Sequence, residues 1–333
     1  MNPALQGLIT IVVGVGGCVA YFYFSNQFLD KVLFPSRGPN AGRNINRANA
    51  IRPWLFMFPA IFALGLYLAY PVFETLRLSV TDRSAGGAFI GGENYAQMFG
   101  ESKFWEAVRN NVMWLLIVPA ASTAFGLLAA QLTDRIKWGS LAKSLIFMPM
   151  AISFVGAAVI FKLIYDARPE DVAQIGVLNA IYLQLGGESP ITWLTVPFWN
   201  NFFLMIVLIW IQTGFAMVIL SAALRGIPEE TVEAAIVDGA NPFQIFFKIK
   251  IPQIAGTIVV VWTTITIVVL KIFDIVFAMT NGQWETQVLA NYMYDKLFRA
   301  NDWGVGSASA MIIMLMVTPI LVWNVYNARK EMR

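Results

Sequence analysis

Seven stretches of the chain are apolar for long enough to cross a lipid bilayer, and nothing else in the sequence constrains the fold as strongly. They run over about Ala4–Phe24, Pro53–Leu76, Asn110–Leu132, Leu141–Tyr165, Phe198–Leu224, Gly256–Met279 and Gly306–Tyr326. A bilayer core takes about 20 helical residues to cross. Inside it, backbone N–H and C=O groups find no water, so spans must be helices or a closed barrel. A barrel would show short alternating segments, which are not seen here. Of 333 residues, 58% are hydrophobic and 13% charged, about half the charge of an average soluble domain. The expected class is an all-α polytopic membrane protein with about seven transmembrane helices.

Lys and Arg set the expected orientation. Lys31, Arg37, Arg43, Arg47 and Arg52 follow the first span, Arg135, Lys137 and Lys143 follow the third, and Arg329, Lys330 and Arg333 lie in the tail. With alternating spans these regions share a side with the loop after the fifth span, which adds Arg225, Lys248 and Lys250. The other side carries half as many: Arg77, Arg83, Lys103, Arg109, Arg168, Lys296 and Arg299. The positive-inside rule then places the C-terminus and the loop after the fifth span in the cytoplasm, and the N-terminus outside. The first span is not expected to be a cleaved signal, because nothing basic precedes it and its apolar core is too long. Ser36–Asn49 reads as a linker. Residues 1–52 are therefore expected to form a helix plus basic linker, and 53–333 a six-helix domain with a cytoplasmic loop at about 225–255.

Several chemistries are absent. The chain has no His and one Cys, which removes the commonest general base and metal ligand and any intrachain disulfide. No G-x-x-x-x-G-K-[ST] loop offers a nucleotide site. No nucleic-acid signature is present, and neither a cofactor, a metal nor a catalytic residue is expected.

One segment outside the spans has a pattern of its own: EETVEAAIVDGANPFQIFFKIKIP, Glu229–Pro252. Pro228 suits a helix start, and Glu229 and Glu230 follow where the helix dipole favours acids. Glu229, Glu230 and Glu233 share a face, beside an apolar stripe of Val232, Ala235 and Ile236. Gly239 is a natural stop in the left-handed conformation. Pro242 starts a second short helix bearing Phe243, Phe246 and Phe247. An amphipathic hairpin lying on lipid would press three acids against an anionic leaflet. A protein partner is the better reading.

Glu233-Ala234-Ala235, Gly239, Ile249 and Pro252 stand at the spacing E-A-A, three residues, G, nine residues, I-x-L-P, with Ile251 in place of the Leu. This resembles the cytoplasmic signature of permease subunits of bacterial ABC importers. ENYAQMF (Glu93–Phe99), Phe104, Asn110–Asn111, IFKLIYD (Ile160–Asp166), Gly176, Asn179, Trp193, FDIVFAMTNG (Phe273–Gly282) and GVGSASAM (Gly304–Met311) look like the carbohydrate branch related to the larger maltose permease subunit. The first helix, the linker and RANAIRPWLFMFPA (Arg47–Ala60) look most like α-glucoside importer permeases. The resemblance covers roughly Pro53–Tyr326.

It implies that the segment is a coupling helix seated in a cleft of a separate ATPase. Glu233 would pair with a basic group there, and Gly239 would give the turn. The implied partners are a second permease subunit, two ATP-binding subunits, an extracytoplasmic sugar-binding protein and membrane lipid. Sugar would cross the inner membrane by alternating access. The alternatives are an ion-driven secondary transporter, which would show two related halves, and a membrane-embedded transferase, which would need converging acids or His.

Substrate-path candidates are Trp210, Gln212 and Thr213 on the fifth span, and Thr263, Thr264 and Thr266 on the sixth. A Thr inside a span more often bonds its own i−4 carbonyl, whereas a mid-span amide needs a partner. The positions matching the maltose permease's polar sugar contacts on the sixth span are Ile265 and Val269, so those contacts do not carry over. Lys271 and Asp274, three apart, are expected to share a helix face as an ion pair, either a structural anchor or a gate. Pro119, Pro149 and Pro319 within spans suggest broken helix geometry where a cavity or protein re-satisfies the backbone, with a simple packing kink the commoner reading for any one of them.

Overall fold

The computed structural model describes residues 3–82, 86–134 and 136–331, with side chains except at 324, 325 and 327–331. Arg83, Arg135 and Arg333 of the charge pattern lie outside the described residues, as do the side chains of Arg329 and Lys330. The chain divides into two compact units, Met1–Glu74 and Thr75–Arg333.

In the first unit, α1 (Pro3–Phe28) ends in a π-helical turn, Leu29–Leu33, and α2 (Ala41–Leu64) returns beside it. The helix begins at Ala41, so the expected linker shortens. The breakers lie in Ser36–Asn40, and the Ala- and Arg-containing remainder joins the apolar run as helix. The Tyr21 hydroxyl donates to the Leu55 carbonyl at 2.9 Å, and Arg52 donates to Asp30 at 2.6 Å and Asn26 at 3.1 Å. These contacts make α1 and α2 an antiparallel pair. A second π-helical turn, Gly65–Ala69, leads into α3 (Tyr70–Ser79). It lies just ahead of Pro71, whose ring clashes with the carbonyl four residues back, and the wider turn absorbs that clash.

The second unit opens with a small antiparallel ribbon of β1 (Thr81–Asp82) and β2 (Ala88–Phe89), with Thr81 opposite Phe89. There follow α4 (Glu93–Gly100), α5 (Ser102–Thr133), α6 (Gly139–Phe147), α7 (Phe154–Ile164), α8 (Val177–Gln184) and α9 (Trp199–Arg225). The chain continues through α10 (Glu229–Val237), α11 (Pro242–Gln244), α12 (Ile251–Gln253), α13 (Ala255–Leu270), α14 (Asp274–Met279), α15 (Leu289–Tyr294) and α16 (Trp303–Glu331).

By length and composition, five helices among the described residues can each cross a membrane unbroken, and seven spans result if two bent pairs each count as one. The expectation of about seven helices stands, with one bend between α6 and α7 and the other between Pro242–Gln253 and α13. The run Leu141–Tyr165 bends by 104° between α6 and α7. Pro149 sits in the first turn of a 3-10 segment, Ile152 is extended, and the Ser153 hydroxyl caps α7 by accepting from the Gly156 N–H at 3.1 Å. Pro119 and Pro319 lie inside continuous helices, so of the three prolines only Pro149 marks a break. The run Gly256–Met279 is also interrupted, because α13 stops at Leu270 and α14 starts at Asp274.

Helix α9 is the centre of the unit. Leu204, Met205, Leu208, Met217 and Leu220 are fully buried against α5, α7, α13 and α14. α5 and α9 cross at Gly126, where a Cβ would lie 2.4 Å from the Ala216 Cβ and 2.9 Å from the Met217 nitrogen. Such a crossing admits only glycine, and it brings the two backbones close enough for dense packing along both helices.

Candidate coupling segment and membrane path

The segment after α9 folds as two helical legs joined at a left-handed glycine. Pro228 caps α10 with its backbone extended, and Glu229 and Glu230 occupy the first turn. At the far end Gly239 has φ +81°. Its N–H donates to Ile236, and the N–H of Ala240 donates to Ala235, which is the paired closure that a glycine after a helix end permits. Asn241 and Gln244 then bond each other's backbone in a reciprocal capping box. A π-helical turn, Ile245–Lys250, precedes Pro252, and the chain bends by 71° into α13. Thus Glu233, Ala234, Gly239, Ile249 and Pro252 all lie on one hairpin, with Ala235 buried beneath it.

The hairpin presents apolar side chains with no cover: Val237 is 86% exposed, Phe243 76%, Phe247 60% and Ile236 59%. Glu233 is exposed beside them. A cleft of about 570 Å³ is lined by Arg225, Glu229, Glu233 and Lys250 among others. A more apolar cleft of about 560 Å³ is lined by Leu128, Leu132, Ile236, Phe243 and Phe246 among others, and the two share Val232 and Lys250.

The roots of the hairpin are held to the end of α5. Asp134 accepts hydrogen bonds from Lys143, from the Ser221 hydroxyl at 3.2 Å and from the Arg225 Nε at 3.1 Å. Partial burial pushes its carboxyl up, but the hydrogen bonds and charges of Lys143 and Arg225 outweigh this and hold it below the ordinary carboxylate value. On the returning leg, the Lys250 Nζ donates to the Gln131 Oε1 at 3.2 Å.

Of the path candidates, the threonines are satisfied locally. Thr213 donates to the Ile209 carbonyl at 2.7 Å, Thr263 to Val259 at 2.7 Å, Thr264 to Val260 at 2.8 Å and Thr266 to Trp262 at 2.8 Å. Trp210 packs edge-on against Phe161, with ring centroids 5.3 Å apart. Gln212 differs: it is 8% exposed and its amide has no partner among the described residues. Ile265 and Val269 are fully buried.

The expected Lys271–Asp274 pair on one helix face is not formed. Lys271 takes the C-terminal cap of α13 and Asp274 the first position of α14. A cation suits a helix C-terminus and an acid an N-terminus, so each charge serves a helix end instead of the other. Lys271 lines a cavity of about 340 Å³ with Phe273, Met293 and Tyr294 among others.

Two features were missed by sequence reasoning. One is the Asp134 cluster. The other is a loop after α14 in which Asn281, Trp284 and Glu285 all take positive φ. Asn110 donates to the carbonyls of Glu285 at 2.9 Å and Gln287 at 2.8 Å, Asn201 to Glu285 at 3.1 Å, and Asn200 to Trp284. The signal was the Asn-Asn pairs at 110–111 and 200–201, polar doublets at the start of apolar runs.

Long apolar helices, two of the candidate spans bent, and an exposed hairpin between α9 and α13 define a polytopic membrane protein. Residues 122–331 match the family of binding-protein-dependent transport system inner membrane components, and the chain belongs to that family. It is 61% identical over 335 residues to the alpha-glucoside transport system permease protein AglF of Rhizobium meliloti (strain 1021), with 99% of each chain covered. It is 45% identical over 281 residues to the osmoprotective compounds uptake permease protein GgtC of Synechocystis sp., covering 84% of this chain and 100% of that one. Among solved structures, a bacterial ABC transporter involved in the import of the acidic polysaccharide alginate shares the fold, with TM-score 0.73, 19% identity, and coverage of 86% of this chain and 98% of the other. The protein is therefore a multi-pass inner-membrane permease of an ABC importer, not an enzyme, and works with a binding protein. Family membership sets aside the ion-driven and transferase alternatives.

Proposed function

We propose that this permease imports α-glucosides or related oligosaccharides, pairs with a second permease subunit, and is driven by two ATP-binding subunits that grip the Glu229–Pro252 hairpin. The observation that carries the coupling role is the hairpin's uncovered apolar face, Val237, Phe243 and Phe247, next to exposed Glu233. An exposed apolar patch rimmed by charge is the mark of a protein interface. Glu233 would meet a basic group of the ATPase, and Gly239 would hold the turn. The sugar class is supported by the name of the AglF relative, and Gln212 is the strongest path candidate, with Trp210, Thr213, Lys271 and Asp274 behind it. We assign the N-terminus to the outside and the C-terminus and hairpin to the cytoplasm. We take residues 53–333 as the transport domain. The match to GgtC, which takes in 100% of that relative and 84% of this chain, supports a core that does without the remainder.

The test uses Glu233→Lys. The wild-type chain, purified from membranes, should bring down an ATPase, and cells should take up radiolabelled maltose or sucrose. The variant should remain inserted, because the site lies in water, yet lose uptake through a like-charge clash. Absence of any ATPase with the wild type would overturn the coupling role. Uptake of neither sugar by wild-type cells would overturn the substrate class. Normal uptake by the variant would remove Glu233 from the interface.

A further inference from the structure

Helix α5 touches both roots of the hairpin at one end and an over-determined loop at the other. At its C-terminal end, Asp134 holds the incoming root through Ser221 and Arg225, and Gln131 holds the returning root through Lys250. The two contacts are polar, and clefts adjoin the hairpin roots at Arg225 and Lys250. At its N-terminal end, Glu106 accepts from the Gln287 N–H at 3.2 Å and Asn111 from the Leu289 N–H at 2.8 Å, while Asn110 holds the Glu285 and Gln287 carbonyls. The loop held there is the one with three non-glycine residues at positive φ. The two sets of contacts sit near opposite ends of one unbroken helix of 32 residues, about 48 Å of rod in all, which packs along both α9 and α13, the helices that flank the hairpin.

We propose that Asp134 and Gln131 are positioning residues that form a two-point clamp on the hairpin roots, and that α5, through this clamp, carries hairpin movement to the Asn281–Leu289 loop at the far side. The proposal rests on the coupling role given above. Each contact is side chain to side chain, so the hairpin has no backbone ladder to α5 through which a pull could pass. Asp134 is suited to the task because three donors converge on one oxygen, Oδ1. The cluster also includes Lys143 of α6 and so draws a third helix to the same point. Loss of the carboxylate charge would free the incoming root and leave Lys143 and Arg225 to repel each other. The helices themselves would stay packed, since the α5–α9 crossing at Gly126 and its surrounding core do not involve Asp134.

The experiment compares Asp134→Asn and Asp134→Glu in the intact importer purified with its partners and placed in lipid vesicles. ATP hydrolysis and sugar uptake are measured together. The Asn variant should co-purify with the ATPase as wild type does and still hydrolyse ATP, but move roughly ten-fold less sugar per ATP, within the range of site-to-site couplings. The Glu variant should recover most of that loss. Wild-type uptake per ATP in the Asn variant would overturn the clamp. If the wild-type chain brings down no ATPase, the coupling role fails first and independently. If the Asn variant does not accumulate, a cross-link decides. Gln131→Cys with Lys250→Cys, in a Cys18→Ser background, is joined by a short bismaleimide. Uptake per ATP should survive the link, because the clamp stays closed through the cycle. Uptake abolished by the link would show that the root must leave α5, and would overturn the proposal.

Discussion

Gly239 shows how one backbone angle can shape an exposed turn. Its φ of +81° is a left-handed turn, and nothing lies within 4 Å of where a Cβ would stand. A side chain there would meet no neighbour, so its cost is conformational, about 1–2 kcal/mol. Gly126 is the opposite case, with an ordinary helical backbone and no room. Gly239→Val should therefore leave thermal unfolding of the detergent-solubilised chain within a few degrees of wild type while lowering uptake. Gly126→Leu should cut the amount of folded protein severely, because the side chain must part α5 from α9. Equal melting curves for the two variants would contradict this division. Gly239 was legible in the sequence because the closure it makes is local, spanning residues 235–240. Asp134 was not, because its donors lie 9 to 91 residues away and no local pattern announces such a meeting. Gln212 was legible only as a polar residue within an apolar run, and it lies 8% exposed in the middle of α9.

The elements diverge from expectation where apolar runs hide their breaks. Hydropathy counts residues and does not sense direction, so α6 with α7, and α13 with α14, each read as one span. The polar marks at the breaks were visible but open to another meaning. Ser153 is a helix cap, and Lys271 and Asp274 read as an ion pair when they close one helix and open the next. Because each charge answers to a helix end, the two are separable. Lys271→Met and Asp274→Asn singly should accumulate in membranes at close to the wild-type level, each costing roughly 0.3–1 kcal/mol of helix-end stabilisation. The charge-swapped double variant should be worse than either single one, since it places both charges at the wrong ends. Recovery in the double swap would restore the ion pair and sink this reading. The π-helical turns ahead of Pro71 and Pro252 follow the same rule, in that a proline spoils a bond upstream of itself and the chain widens there.

For the molecule as a whole, the spans, the extra N-terminal helix and the hairpin were legible because lipid makes length and polarity informative. The α1–α2 pairing through Tyr21, Asp30 and Arg52 was not, since it depends on contacts 22 to 34 residues apart. The proposed orientation has a direct check. In a Cys18→Ser background, single cysteines at Ser36, Ser102 and Gly239 can be treated with a membrane-impermeant maleimide. Only Ser102→Cys should label in intact cells, and all three should label once the membrane is opened. Labelling at 36 instead of 102 would invert the topology. The bare hairpin has a further consequence for the cell. Val237, Phe243 and Phe247 form an exposed apolar surface that the other described residues leave uncovered. If the proposed ATPase is what covers that surface, a copy synthesised in excess of it is an orphan that displays what chaperones and proteases bind. Its lifetime is then set by how quickly a mate arrives, and the cell's stock of this permease follows the scarcer subunit.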